Sequence, residues 1–169
     1  QKVNSVGAPE IISRSSEPFA DRSQAAGLLA GQLGGYASQN PVVLGIPRGG
    51  VVVAEKLASE LGGRLDMVLC RKVGAPGNPE LAIGAVSENG KLFVDERIAS
   101  HVGADDDYID KQKEAELEKI RQRAEKYRQV LPKEPLEGRT VIITDDGVAT
   151  GSTMQSAIWS VRAEHPEKI

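Results

Sequence analysis

The run Val141-Ile142-Ile143-Thr144-Asp145-Asp146-Gly147-Val148-Ala149-Thr150-Gly151-Ser152-Thr153 restricts the fold more than any other stretch of this chain. Val141 to Ile143 is a β-branched apolar run suited to a strand buried on both faces, and the apolar spacing from Met154 to Val161 is helical. Only a tight strand-to-helix turn lies between them. Gly147 and Gly151 let backbone amides point inward, and the first turn of the following helix adds unpaired NH groups and the positive end of a dipole. A phosphate can sit there, with Thr150, Ser152 and Thr153 as hydroxyl donors.

Carboxylates touching that phosphate would repel it, so Asp145 and Asp146 must face another part of the ligand. Vicinal hydroxyls or a metal ion meet the requirement. A ribose 5-phosphate satisfies both halves, because carboxylates accept hydrogen bonds from its 2- and 3-hydroxyls while the loop holds the phosphate. An ordinary polar-capped turn is the plainer alternative, since short glycine-rich motifs give false positives.

Two further strand ends repeat the pattern. Val42 to Ile46 is an apolar strand leading into Pro47-Arg48-Gly49-Gly50, where the Arg48 fork can grip two phosphate oxygens and the glycines permit close backbone approach. Leu65 to Cys70 reads as one strand ending in the cations Arg71 and Lys72. Val73 to Glu80 holds two glycines and two prolines, which predicts a loop able to close over an anionic substrate. Arg48, Arg71 and Lys72 are thus expected at carboxyl ends of parallel strands, the edge where open α/β sheets bind ligands.

These motifs together resemble type I phosphoribosyltransferases over approximately Phe19 to Val161. The late run resembles the family's 5-phosphoribosyl 1-pyrophosphate (PRPP) motif and departs from it at Thr144, Gly147 and Ala149, where Ser152 or the amides can replace the hydroxyl that Ala149 lacks. Lys72 to Val86 is similar to a branch of the family that has no assigned substrate. The resemblance implies a Rossmann-like open, mostly parallel twisted sheet with helices on both faces, plus a hairpin and long-helix insertion.

It also implies roles. Gly147, Val148, Ala149, Thr150, Gly151, Ser152 and Thr153 would bind the 5-phosphate of PRPP, and Pro47, Arg48, Gly49 and Gly50 the pyrophosphate, with a cis peptide before Arg48. Lys72 and Arg71 would serve catalysis by contacting pyrophosphate at the start of a flexible loop. Asp145 and Asp146 would hold the ribose and, through its hydroxyls or water, Mg²⁺. The implied reaction is phosphoribosyl transfer from PRPP to a nucleobase-like nitrogen acceptor, with pyrophosphate leaving.

Flavodoxin-like proteins hold FMN phosphate with a loop that Ala149 to Thr153 mimics, although theirs follows the first strand and lacks an Asp pair. A PRPP- or nucleotide-sensing module would keep the same motifs without transfer. With a formal net charge of −3 over 169 residues, and no evident helix-turn-helix, nucleic-acid binding is not expected. Cys70 is the only cysteine, and neither His101 nor His165 lies near a nucleophile triad or zinc set. No stretch is long and apolar enough to span a membrane, and Gln1 to Glu17 lacks a signal-peptide core, so a cytoplasmic protein is expected.

The remaining organisation reads as a polar segment 1–18 and one domain 19–169 with an insertion at about 91–137. Helices are expected at 23–33, 51–61 and 152–163, and Asn89-Gly90 should turn strand 81–86 back into an antiparallel strand 91–95. Ile109, Leu117, Ile120, Ala124, Tyr127 and Leu131 form an apolar stripe on a charged helix within 104–131, roughly 40 Å long. Its charges suit a solvated face, and the stripe suits either the chain's own core or a partner subunit in a homodimer. A further strand is expected after helix 152–163, so the domain is anticipated to be truncated at its C-terminus.

Overall fold

The computed structural model describes residues 10–169; the expected polar segment 1–18 lies in part outside these. The elements in order are α1 (Arg22–Leu33), β1 (Val42–Gly45), α2 (Gly49–Leu61), β2 (Arg64–Met67), β3 (Cys70–Ala75) and β4 (Asn78–Ser87). They continue as β5 (Leu92–Val94), α3 (Glu96–His101), α4 (Asp106–Tyr127), β6 (Val141–Thr144) and α5 (Ser152–Arg162).

Two sheets result. β2, β1 and β6 form a parallel sheet in that order, with Val42 opposite both Arg64 and Val141. β1 is central and wholly buried, as a β-branched run covered on both faces must be. Val43 packs under α1 and α2 with Ala26, Val53 and Leu57, while Val42 and Leu44 face α5 through Ala157 and Val161. Alternation along one strand thus joins the two faces of the domain. The open α/β architecture with flanking helices agrees with the expected fold class.

The second sheet, β3-β4-β5, is antiparallel and departs from two expectations. The run 65–70 is not one strand: β2 stops at Met67, Val68 and Leu69 cross buried between the sheets, and Cys70 opens β3. The segment 73–80 is not a loop either. Pro76 and Gly77 alone make the turn of a hairpin, with Gly77 at φ +72 and Ala75 paired to Asn78. Val73 and Ala75 are buried with Ile83, Ala99 and Ile109, so burial overrides the Gly and Pro content. Arg71 and Lys72 consequently sit early in an antiparallel strand rather than at a parallel strand end.

The expected turn after strand 81–86 is present, with Gly90 at φ +73 and its amide donating to the Ser87 carbonyl. Helix α4 is capped by Asp105, whose carboxylate accepts from the Tyr108 amide, and Asp106 and Asp107 occupy its first turn. Its stripe is satisfied within the chain: Ile120 packs on Met67, Leu69 and Val86, and Ile109 on β3 and β4. Trp159 of α5 stacks on Phe93 of β5 at 5.1 Å, so α5 contacts both sheets. Among the described residues no helix is long and apolar enough to cross a membrane.

A buried ion network ties the end of α4 to the parallel sheet. Arg128 donates to Asp66, which is 1% exposed, to both oxygens of Glu88 and to the Leu131 carbonyl. Asp66 also accepts from the Met67 and Glu134 amides. Burial alone would lower the Arg128 pKa, and the hydrogen bonds to Glu88 and Asp66 more than reverse this, leaving it raised and the guanidinium charged. Arg128→Met would leave the Asp66 carboxylate buried without a counter-charge. It should destabilise the fold by about 3–5 kcal/mol, read as a lowered urea midpoint. A loss under ~1 kcal/mol would contradict the assignment.

Candidate functional site

Parallel pairing of β1 with β6 places the loops that follow them side by side. The Ile46 amide donates to the Thr144 carbonyl at 3.0 Å, and the chains then diverge into the 46–49 and 145–151 turns. The Pro47–Arg48 peptide is cis, and Arg48 is exposed with no carboxylate in ion-pair reach among the described residues. α2 starts at Gly49 rather than at the expected residue 51, so Gly49 and Gly50 are helical.

The glycines set the separation between the two loops. A Cβ on Gly49 would overlap the Asp146 carboxylate, and one on Gly50 would lie 2.8 Å from the Thr144 carbonyl and 3.0 Å from the Asp145 Cα. The first turn of α2 therefore lies directly against the acidic pair. Asp145 accepts from the Asp146 amide at 2.9 Å. Asp146 accepts from Arg22 Nε at 2.8 Å and Nη2 at 2.6 Å, a contact spanning most of the chain.

These contacts separate the two acids electrostatically. The Arg22 hydrogen bonds hold the Asp146 carboxyl below the usual carboxylate range, whereas burial, with the neighbouring Asp146 charge adding to it, raises Asp145. The loop beyond is exposed, and no backbone amide from Gly147 to Gly151 donates to a protein acceptor among the described residues. Gly151, at φ +82, precedes α5 without a side-chain cap. Thr150 and Ser152 hydroxyls lie 3.1 Å apart. Free amides, a helix N-terminus and clustered hydroxyls are the components of an anion site.

A cleft of about 390 Å³ opens on the other side of the Pro47 turn, between the two sheets. Arg71 and Lys72 of β3 line it, with Ser152, Thr153 and Ser156 of α5 opposite. Ile120 and Arg123 of α4 form a further wall. Arg71 donates to Glu116 at 2.7 Å, and Lys72 to Glu80 at 2.9 Å. Burial would raise the Glu116 pKa, but hydrogen bonds from Lys119 and Arg71 lower it overall. Cys70, also on the wall, is pushed up to about 11 by burial and stays a thiol.

Pro47, Arg71, Lys72, Ser152 and Thr153 thus meet in one cleft, while Gly49, Gly50, Asp145 and Asp146 meet on its neighbouring side. Arg48 and Val148 to Gly151 do not line the cleft. Sequence reasoning missed Arg22, Glu80, Glu116 and Arg123. Each is a single charge in a segment whose pattern suits a solvated helix face or a turn, so only tertiary contact distinguishes them.

The family model for the phosphoribosyl transferase domain matches residues 21–169. The chain belongs to that family. It is 38% identical over 151 residues to proteins of two Mycobacterium tuberculosis strains that carry the provisional name phosphoribosyl transferase. Those matches cover 89% of this chain and 34% of the relatives, so the chain spans about a third of their length. The crystal structure of TT1426 from Thermus thermophilus superposes with a TM-score of 0.82 at 49% identity, over 89% of this chain and 71% of that one.

Because the folded Asp146 pKa is depressed, its tie to Arg22 contributes stability above the ordinary carboxylate pKa, and that stability is lost as pH falls through the lowered value. Carbon-detected NMR titration should show Asp146 titrating below Asp145, and Arg22→Ala should raise the Asp146 midpoint. Equal midpoints, or an Asp146 value unmoved by the substitution, would contradict the arrangement.

Proposed function

We propose that this domain is the catalytic unit of a Mg²⁺-dependent phosphoribosyltransferase that moves the phosphoribosyl group of PRPP onto a nitrogen of a nucleobase-like acceptor and releases pyrophosphate. The observation that carries the reading is the fit of the two loops. Gly49 and Gly50 bring a basic turn against an acidic pair that continues into unpartnered amides. A ligand with phosphate at one end, hydroxyls in the middle and pyrophosphate at the other matches that order of chemistry.

The proposed roles follow the chain's own groups. Amides and hydroxyls of 147–153 hold the 5-phosphate, and Asp145 and Asp146 accept hydrogen bonds from the ribose hydroxyls, with Arg22 fixing Asp146. In the reaction the bond from the anomeric carbon to pyrophosphate breaks and its electron pair leaves on the pyrophosphate. The acceptor nitrogen donates its lone pair to the same carbon, and its proton passes to solvent. Positive charge on the sugar and negative charge on the leaving group grow together, so Arg48, Arg71 and Lys72 act by stabilising the departing anion. Lys72 is available for this because its partner Glu80 is 91% exposed, and such a pair contributes about 0–1 kcal/mol.

No group of three or more acidic, histidine or cysteine side chains that could hold a metal ion exists among the described residues. Mg²⁺ keeps several waters and binds through one or two carboxylates plus substrate phosphates, a demand that the adjacent Asp145 and Asp146 carboxylates can meet. Asp145 and Asp146 would hold it through water or ribose hydroxyls, and it would supply charge neutralisation on the pyrophosphate.

Calorimetric titration of the folded chain with PRPP and Mg²⁺ should give saturable binding, weakened about tenfold or more by the pair Asp145→Asn and Asp146→Asn. No saturable heat, or unchanged affinity in the double variant, would reject the reading.

A further inference from the structure

Arg71 and Lys72 are adjacent on β3 and line the same cleft, yet their carboxylate partners hold them unequally. Glu80, which pairs with Lys72, is 91% exposed, whereas Glu116, which pairs with Arg71, is 13% exposed. Glu116 comes from the long helix α4 and stands behind Arg71, off the cleft wall. Each of its oxygens meets one cation. Oε2 accepts from Arg71 Nε at 2.7 Å, and Oε1 from Lys119 Nζ at 2.5 Å. Those bonds outweigh burial and keep the carboxyl ionised.

The bond from Arg71 to Glu116 uses Nε alone. The two terminal nitrogens of Arg71 donate to no acceptor among the described residues, so they remain a fork for two oxygens of one phosphate. An arginine free to swing loses its rotamer freedom when it grips an anion. One tied at Nε has lost much of that freedom before the anion arrives. The tie also comes from a fixed support. Glu116 lies one turn before Ile120, which is 1% exposed against Met67, Leu69 and Val86. Near one end of α4 the Tyr108 hydroxyl donates to the Gly74 carbonyl, and at the other Arg128 binds Asp66, so the helix is seated without Glu116.

We propose that Glu116 is a positioning residue of the pyrophosphate site, holding Arg71 at Nε so that its two terminal nitrogens are presented to the leaving group before substrate binds. This rests on the phosphoribosyltransferase reading and draws the α4 insertion into its chemistry. Removing Glu116 has two opposed effects: loss of a negative charge favours an incoming anion, and loss of the tie disfavours it. Glu116→Gln and Glu116→Ala separate the two, since both are neutral and only glutamine keeps an oxygen that can accept from Arg71 Nε.

The test is a phosphorus NMR titration of the folded chain with pyrophosphate and Mg²⁺. Glu116→Ala should bind pyrophosphate about fivefold more weakly than Glu116→Gln. With Arg71→Ala also present the two should agree within about twofold, because the effect passes through Arg71, whereas a merely structural role would leave the difference in place. Equal affinities for the Gln and Ala variants, or a difference that persists beside Arg71→Ala, would overturn the proposal. Nitrogen NMR of the unsubstituted chain reads the same contact should Glu116→Ala not fold. There the Arg71 Nε–H should stay protected from exchange as pyrophosphate saturates, and loss of that protection would count equally against the role. If the folded, unsubstituted chain binds no pyrophosphate at about 10 mM, the pyrophosphate site of the parent reading falls, and the role of Glu116 with it. Pyrophosphate bound alike by the Gln and Ala variants removes the role of Glu116 alone.

Discussion

The contact on which this structure depends is the approach of two glycines to two aspartates. Gly49 and Gly50 begin α2 so close to Asp145 and Asp146 that any side chain at Gly49 would enter the Asp146 carboxylate. That approach is possible because β1 and β6 are adjacent and parallel, which sends both chains out of the sheet at one edge. Two loops that each resemble a weak anion motif thereby become neighbouring parts of one surface. Arg22 reaches the same carboxylate from α1 and ties a third element to that edge.

The second sheet gives that surface its opposite wall. β3 and β4 pack on α4 and α5 rather than extending the parallel sheet, and Arg128 locks the far end of α4 to Asp66 of β2. A half-buried guanidinium shared between the buried Asp66 and the partly buried Glu88 is costly to break, so it fixes one docking geometry for the helix. Arg71, Lys72 and Arg123 therefore face the cleft from elements held in a set relation to the loops.

What sequence made legible was local. Strands β1 and β6, the helices after them, the hairpin at Asn89-Gly90 and the amphipathic α4 all follow from periodicity and turn chemistry, and the cis peptide at Pro47–Arg48 follows from the family resemblance. The crossing at Val68-Leu69 was not legible, because an apolar run that changes sheets looks like one uninterrupted strand. The Pro and Gly residues of 74–79 suggested a loop where burial of Val73 and Ala75 makes a hairpin. The six-residue α3 was too short for a period to register, although Asp95 caps it by accepting from the Arg97 and Ile98 amides. Arg22 and Arg123 carried no signal, since a lone charge gains its meaning only from the tertiary neighbour it meets.

The most direct measurement is a crystal structure of the chain with PRPP and Mg²⁺ bound. The account predicts the 5-phosphate on the amides of 147–153, the ribose hydroxyls on Asp145 and Asp146, and the pyrophosphate beside Arg48 and Lys72. PRPP lying elsewhere, or in the reverse orientation with pyrophosphate in the 147–153 loop, would contradict it.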